Sequence, residues 1–226
     1  MVTVRIVVEG GVLSCNAETT TASNTESLRQ SLHSFFTRLL SRDDISIVIS
    51  LGAGYRSAVK RFQKEDAGTS LFVDLDAQKS KVNDWFVKLE TENKDKQIIL
   101  SPEQKENVFF MVQEMEAWFL KQPNCFEEWA KLEKYNKRDE KSIADHNLIS
   151  GKNIEDISKP SAVVAILLKH FFEKRIDGKK RKLAVYGKLR TAPVLLDCLD
   201  VALLETQDSE LVRFKNIMNK NFIMKL

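Results

Sequence analysis

Apolar positions in the first half of the chain alternate between two patterns: short β-branched runs, and longer stretches with apolar residues three and four apart. Val2 to Val8 is a short continuous run, the signature of a strand buried on both faces in a parallel sheet, and Glu9-Gly10-Gly11 ends it. After a polar loop carrying Thr19, Thr20 and Thr21, Ser23 followed by Glu26 reads as a capping box. Leu28, Leu32, Phe35, Phe36, Leu39 and Leu40 then repeat at helical spacing. Ile45 to Ser50 is a second strand, broken by Gly52 and Gly54, and Tyr55 to Gln63 is a short helix with Val59 and Phe62 inward. Ser70 to Asp74 is a third strand. Val82, Trp85, Phe86 and Leu89 mark another amphipathic helix, and Asn107 to Val112 is a strand leading into Glu114 to Leu120. The order βαβαβαβ predicts an α/β fold: a mostly parallel sheet flanked by helices, because each parallel crossover needs a long return connection.

From Lys121 the pattern changes to helices and basic loops. Phe126 to Leu132 is helical, Glu133 to Glu155 is polar, and Pro160 to Lys174 is a helix opened by proline. Leu195 to Leu204 reads as a further helix, with a last one near Glu210 to Met218. The expected organisation is an α/β core over residues 1–120 and a mainly helical C-terminal extension over residues 121–226.

Composition adds few constraints. Of 226 residues 43% are hydrophobic and 30% charged, which excludes collagen-like, low-complexity and wholly disordered chains. The formal net charge of +3 neither requires nor forbids a nucleic-acid partner, so local charge has to decide. The longest apolar run, Ala162 to Leu168, falls far short of the ~20 residues of a bilayer-spanning helix. The N-terminus lacks a signal peptide's basic start and cleavage site, so a cytoplasmic protein without a membrane partner is expected. Cys15, Cys125 and Cys198 form no CxxC pair and read as reduced, structural thiols.

Ligands of open α/β sheets bind outside the carboxyl ends of the strands. Here those ends are Glu9-Gly10-Gly11, Ser50 through Gly54, Asp74-Leu75-Asp76 and Gln113 through Glu116, so three of the four carry carboxylates. Carboxylates packed along one edge repel one another unless a cation neutralises them. Hard oxygen donors select magnesium or manganese over zinc. Gly10, Gly11, Gly52 and Gly54 leave room for a phosphate near the backbone. An aspartate after a strand is also an ordinary turn former; it is the joint occurrence at successive strand ends that points to a site. Trp118, Phe119, Leu120, Trp85 and Phe86 read as core.

At these residues the sequence resembles the Toprim-like superfamily, whose first motif is a Glu-Gly closing the first strand and whose second is an Asp-x-Asp closing a later one. Within it, the chain looks like the family called domain of unknown function 4276. The resemblance is carried by Val8 to Gly11, Gly52 to Ala58, Leu71 to Asp76 and Met111 to Trp118, and later by Ile157 to Pro160 and Tyr186 to Arg190. The connection after Gly11 is longer and richer in Ser and Thr than in some Toprim relatives. The resemblance implies metal-dependent phosphodiester chemistry with Mg or Mn, acting on DNA or RNA. It also implies a setting in bacterial antiviral defence, often beside an ATPase partner. Residue by residue, it makes Glu9 the general acid or base, Asp74 and Asp76 metal ligands, and Glu116 a further acidic member.

A dense basic run, Lys174, Arg175, Lys179, Lys180, Arg181 and Lys182, is followed by Lys188 and Arg190, with Tyr186 available for base stacking. Beside an acidic metal site, Lys179, Lys180, Arg181, Lys182, Lys188 and Arg190 are the expected phosphate contacts, with Arg56 as a further candidate. His33, His146 and His170 have no partner at metal-ligand spacing. Two other functions compete with a metal-dependent nuclease. One is an aspartyl-phosphate phosphatase with Asp74 as nucleophile and Asp76 as proton donor. The other is a noncatalytic binding or signalling module whose acidic cluster holds a structural ion.

Overall fold

Four strands, β1 (Val2–Glu9), β2 (Ile45–Gly52), β3 (Ser70–Asp74) and β4 (Val108–Met111), lie side by side in the order β2-β1-β3-β4, every neighbouring pair parallel. The computed structural model describes residues 2–11, 19–91, 97–176 and 180–223; Cys15 and Lys179 lie outside them. Of the first-half helices, α1 (Thr19–Leu40) covers one face of the sheet, and α2 (Tyr55–Phe62) and α3 (Val82–Thr91) cover the other. The burial pattern follows from this layering. Ile6 and Val8 of β1 join Phe36 of α1 in one cluster, whereas Val7 joins Val59, Phe62 and Trp85 of α2 and α3 in the second. Both faces of β1 are therefore dry, as its unbroken β-branched run requires. The chain steps from β1 to β2 on one face and back across β1 to β3 on the other, so the winding reverses between β1 and β3. That reversal is where an open α/β sheet places its crevice.

A short α4 (Pro102–Glu106) enters β4, held by a capping box in which Gln104 N donates to Ser101 Oγ and Ser101 N donates to Gln104 Oε1. The second half then packs on the α1 face. It comprises α5 (Ala117–Lys121), α6 (Asn124–Leu132), β5 (Asn136–Lys137), α7 (Pro160–Phe171), β6 (Phe172–Ile176), β7 (Lys180–Leu183), α8 (Lys188–Asp197), α9 (Val201–Gln207) and α10 (Ser209–Ile223). Aromatic rings make the seam. Trp118 of α5 stacks on Phe35 of α1 at 5.0 Å, and Phe214 of α10 meets Phe36, Phe72 and Phe109 edge-on. Among the described residues no helix is long and apolar enough to cross a membrane.

Several expectations change. Helix α1 begins at Thr19, so Ser23 lies inside it rather than capping it, and Glu26 pairs instead with Arg29 one turn on. The helix expected from Pro160 to Lys174 stops at Phe171. The basic run that follows is not a helix end and a loop: its described part lies on β6 and β7, a hairpin that β5 extends to a three-stranded antiparallel sheet. The helix expected over Leu195 to Leu204 is two helices. The Arg38 guanidinium donates to the carbonyls of Leu196 and Leu199, satisfying the end of α8, and the Asp200 side chain accepts from Leu203 N to start α9.

The close of β2 shows how tightly this edge is built. A Cβ on Gly52 would stand 2.5 Å from Ala58 Cα and 2.7 Å from its N, backbone atoms of α2 that cannot turn aside. Gly52→Ala is expected to destabilise the fold by on the order of 2 kcal/mol, an overpacking cost. Urea denaturation checks it, and an unmoved midpoint would refute the close approach.

Candidate active site

Glu9 and Asp74 flank the crevice because β1 and β3 are neighbours in register, Val8 lying beside Phe72. Past Gly10 the chain leans toward β2, Gly10 N donating to Gly52 O at 2.7 Å. The β1–β3 ladder ends there, and Asp74 N donates to Glu9 Oε2 at 3.1 Å in place of a backbone partner. Glu116 arrives from β4 through a tight turn. Gln113 in that turn takes a left-handed φ of 62°, with Asp76 N donating to its carbonyl, and Met115 N donates to Asp74 Oδ1 at 2.9 Å. The turn locks β3 and β4 together at their carboxyl ends and buries Glu116 completely.

The fourth member comes from the far half of the chain. Gly187 caps α8, and Lys188, its first residue, reaches back to Asp74 Oδ2 at 2.8 Å and stands 3.9 Å from Glu116 Oε2. The preceding Tyr186 hydroxyl donates to Glu116 Oε1 at 2.5 Å. A cation in a helix's first turn opposes the helix dipole, so Lys188 sits there against local preference, its charge answered by the carboxylates. Helix α8 is carried to this place by its packing on α1, where Ser31 Oγ donates to Asp197.

Burial dominates the electrostatics. Desolvation, reinforced by the Asp74 charge, pushes the Glu9 carboxyl from its ordinary 4.5 up to about 7. Asp74 and Glu116 are raised by the same burial, which Lys188 partly opposes. Burial also raises the Tyr186 hydroxyl, and Glu116 beside it adds to the effect. The Lys188 ammonium is pulled down by burial, but Asp74, Glu116 and Glu9 together outweigh this and hold it above its ordinary value.

The carboxylates differ in their engagement. Asp76, expected as a metal ligand, stands at the rim with its side chain 66% exposed and Lys159 4.0 Å away. Glu114 points elsewhere: its Oε2 accepts from Ser161 N at the start of α7. Among the described residues no three carboxylate, imidazole or thiol groups form a ready-made metal cage; Lys188 supplies the positive charge between Asp74 and Glu116. The donor chemistry still fits a hard divalent ion, because the carboxylates of Glu9, Asp74 and Glu116 converge and Glu116 Oε2 is buried without a hydrogen-bond partner.

Of the expected substrate contacts, Gly10 and Gly11 close β1 with φ of 140° and 79°. Arg56 lies on α2 beside Tyr55, at the carboxyl end of β2 and so across β1 from Asp74. Arg181 is engaged by Glu173 at 3.1 Å, and Lys180 opens β7. Lys182 and Arg190 border a cavity next to Tyr186. Lys188, expected on a phosphate, stands in the carboxylate cluster. The link from Tyr186 to Glu116 was not legible in advance; its sequence signal was a lysine placed against the dipole immediately after Tyr-Gly. Compared with known protein families, with curated proteins and with solved structures, the chain matches none.

Proposed function

We propose that the chain is a metal-dependent phosphodiester hydrolase of the Toprim type, acting on nucleic acid with Mg or Mn. The observation that carries this reading is the gathering of Glu9, Asp74 and Glu116 beside one half-buried lysine, Lys188, at the switch point of a parallel sheet. Asp74 and Glu116 would hold the ion, with Asp76 at the rim. Bound there, a divalent ion supplies Lewis-acid stabilisation of a phosphoryl oxygen and a readily deprotonated water. Glu9, titrating at about 7, is matched to taking and returning a proton near neutrality. Lys188 balances the cluster and presents a fixed positive charge to an incoming phosphate. The resemblance adds a role as an effector in bacterial antiviral defence beside an ATPase partner.

The aspartyl-phosphate alternative has less support. The Asp-x-Asp that would supply nucleophile and proton donor closes β3, the third strand in chain order, whereas such a phosphatase carries it at the end of its first. The noncatalytic alternative draws on one observation, the charge already supplied by Lys188. Incubating the full chain with single-stranded and duplex DNA and with RNA, in Mg, Mn or a chelator, separates the readings. Cleavage confined to the metal-containing reactions is expected. Intact substrates with both metals would overturn the hydrolase and favour the binding module.

A further inference from the structure

The hairpin β6–β7 is built at a cost to its own stability. Its register sets Lys174 opposite Lys182 and Arg175 opposite Arg181, like charges facing each other across the strands, which is unfavourable. Two of the four are answered locally. Glu173 takes Arg181 at 3.1 Å, and the Lys174 ammonium lies 4.4 Å from the centre of the Tyr135 ring. Among the described residues no carboxylate pairs with Lys182, nor with Arg190 across the mouth of the adjoining cavity. Cationic side chains gathered without internal partners are what a polyanion site requires.

The cavity they border has about 290 Å³ of space and is lined by, among others, Trp129, Tyr135, Tyr186 and Gly187. Tyr135 and Tyr186 are half-buried, and the neighbouring Val185 is 71% exposed on the rim, an apolar side chain beside two unanswered cations. Tyr186 connects the cavity to the carboxylate cluster: it lines the cavity while its hydroxyl donates to Glu116, and the residue after Gly187 is Lys188.

We infer that this cavity is a nucleotide subsite that receives one unpaired base, with Lys182 and Arg190 on its flanking phosphates. At about 290 Å³ the cavity is just under the ~300 Å³ at which small-molecule sites begin, a size for one base with its phosphates left at the rim. A base inside a duplex cannot enter without leaving its stack. The preferred substrate class is therefore single-stranded nucleic acid, DNA or RNA, since an unpaired base between two phosphates is common to both. The inference rests on the hydrolase reading for placing the scissile phosphate at Lys188, next to the subsite.

The test is binding of the full chain, in chelator, to fluorescein-labelled oligothymidylate, oligouridylate and a DNA duplex, followed by anisotropy across a salt series. Single strands are expected to bind at least about tenfold more tightly than duplex, the scale of one base on an aromatic face; the two single-stranded probes sort DNA from RNA. Gly187→Leu fills the cavity. Gly187 has an extended φ of −144°, and a Cβ there meets only Arg190 Cβ at 3.9 Å. It should remove that preference and leave the salt slope in place. Arg190→Gln and Lys182→Gln, both at exposed positions, should each lower the slope by about 0.7. Duplex bound as tightly as single strands, or unchanged binding in Gly187→Leu, overturns the subsite. If Gly187→Leu fails to fold, unchanged slopes in both glutamine variants overturn it equally. Pocket-dependent binding without metal-dependent cleavage would sink the hydrolase reading and leave the subsite standing. Cleavage indifferent to the cavity would do the reverse.

Discussion

Asp74→Asn is expected to lower metal-dependent cleavage by a factor on the order of 10³ while the protein stays folded. Asp74 stands at the winding reversal between β1 and β3, and its two oxygens divide the site's labour: Oδ1 accepts from Met115 N and Oδ2 from Lys188. Asparagine retains one acceptor and no charge. It keeps either the Met115 bond or the Lys188 bond, and it removes the carboxylate nearest to both Glu9 and Lys188. Losing one such bond costs about 2 kcal/mol, a fall of roughly 4–8 °C in Tm for a chain of this size. Loss of the whole ion pair is cushioned because Lys188 remains 3.9 Å from Glu116 and its side chain is 38% exposed. Single-turnover cleavage beside a thermal melt checks both halves. Activity within tenfold of the parent removes Asp74 from the chemistry. Outright unfolding makes it a structural aspartate.

The metal-free protein should lose stability as pH rises from about 4.5 to about 7, with on the order of 3 kcal/mol of the loss due to Glu9. Burial, helped by the Asp74 charge, lifts the folded Glu9 to about 7 from the ordinary 4.5 that it keeps in the unfolded chain. Between those values the native state still holds a proton that the unfolded state has released, so each pH step favours unfolding. The contribution is complete below 4.5 and gone above about 7. Glu9→Gln keeps an acceptor for Asp74 N and has nothing to titrate. The stability gap between variant and parent, from urea curves in chelator, should therefore widen with pH in the variant's favour. A gap that stays constant from acid to alkaline pH would show that Glu9 is not held in a desolvated site.

Much of the first half of the chain is readable from sequence because its signals are local. A β-branched run stopped by glycines defines β1 within two residues, and Ser70–Asp74 was legible to its ends. The capping box at Ser101 is an equally local signal, its Ser-Pro-Glu-Gln standing between two stronger patterns. The second half was harder. Phe171 and Phe172 are adjacent and both buried, a pattern that no single period describes, and the chain passes there from α7 straight into β6.

What the sequence determines by itself is the set of elements and the chemistry at their ends: α/β alternation, and carboxylates at or just past the strand ends, Glu9, Asp74, Asp76 and Glu116. Hydrophobic period and turn residues act over a few positions, so they can be read without knowing what packs on what. Tertiary structure alone decides which of those groups share a site. Strand order sets Glu9 against Asp74, and a left-handed Gln113 swings Glu116 inward and Glu114 out to α7. Packing of α8 on α1 delivers Lys188 across 114 residues of chain to the carboxylates. Those pairings depend on how whole faces bury against each other, and no local pattern carries that information.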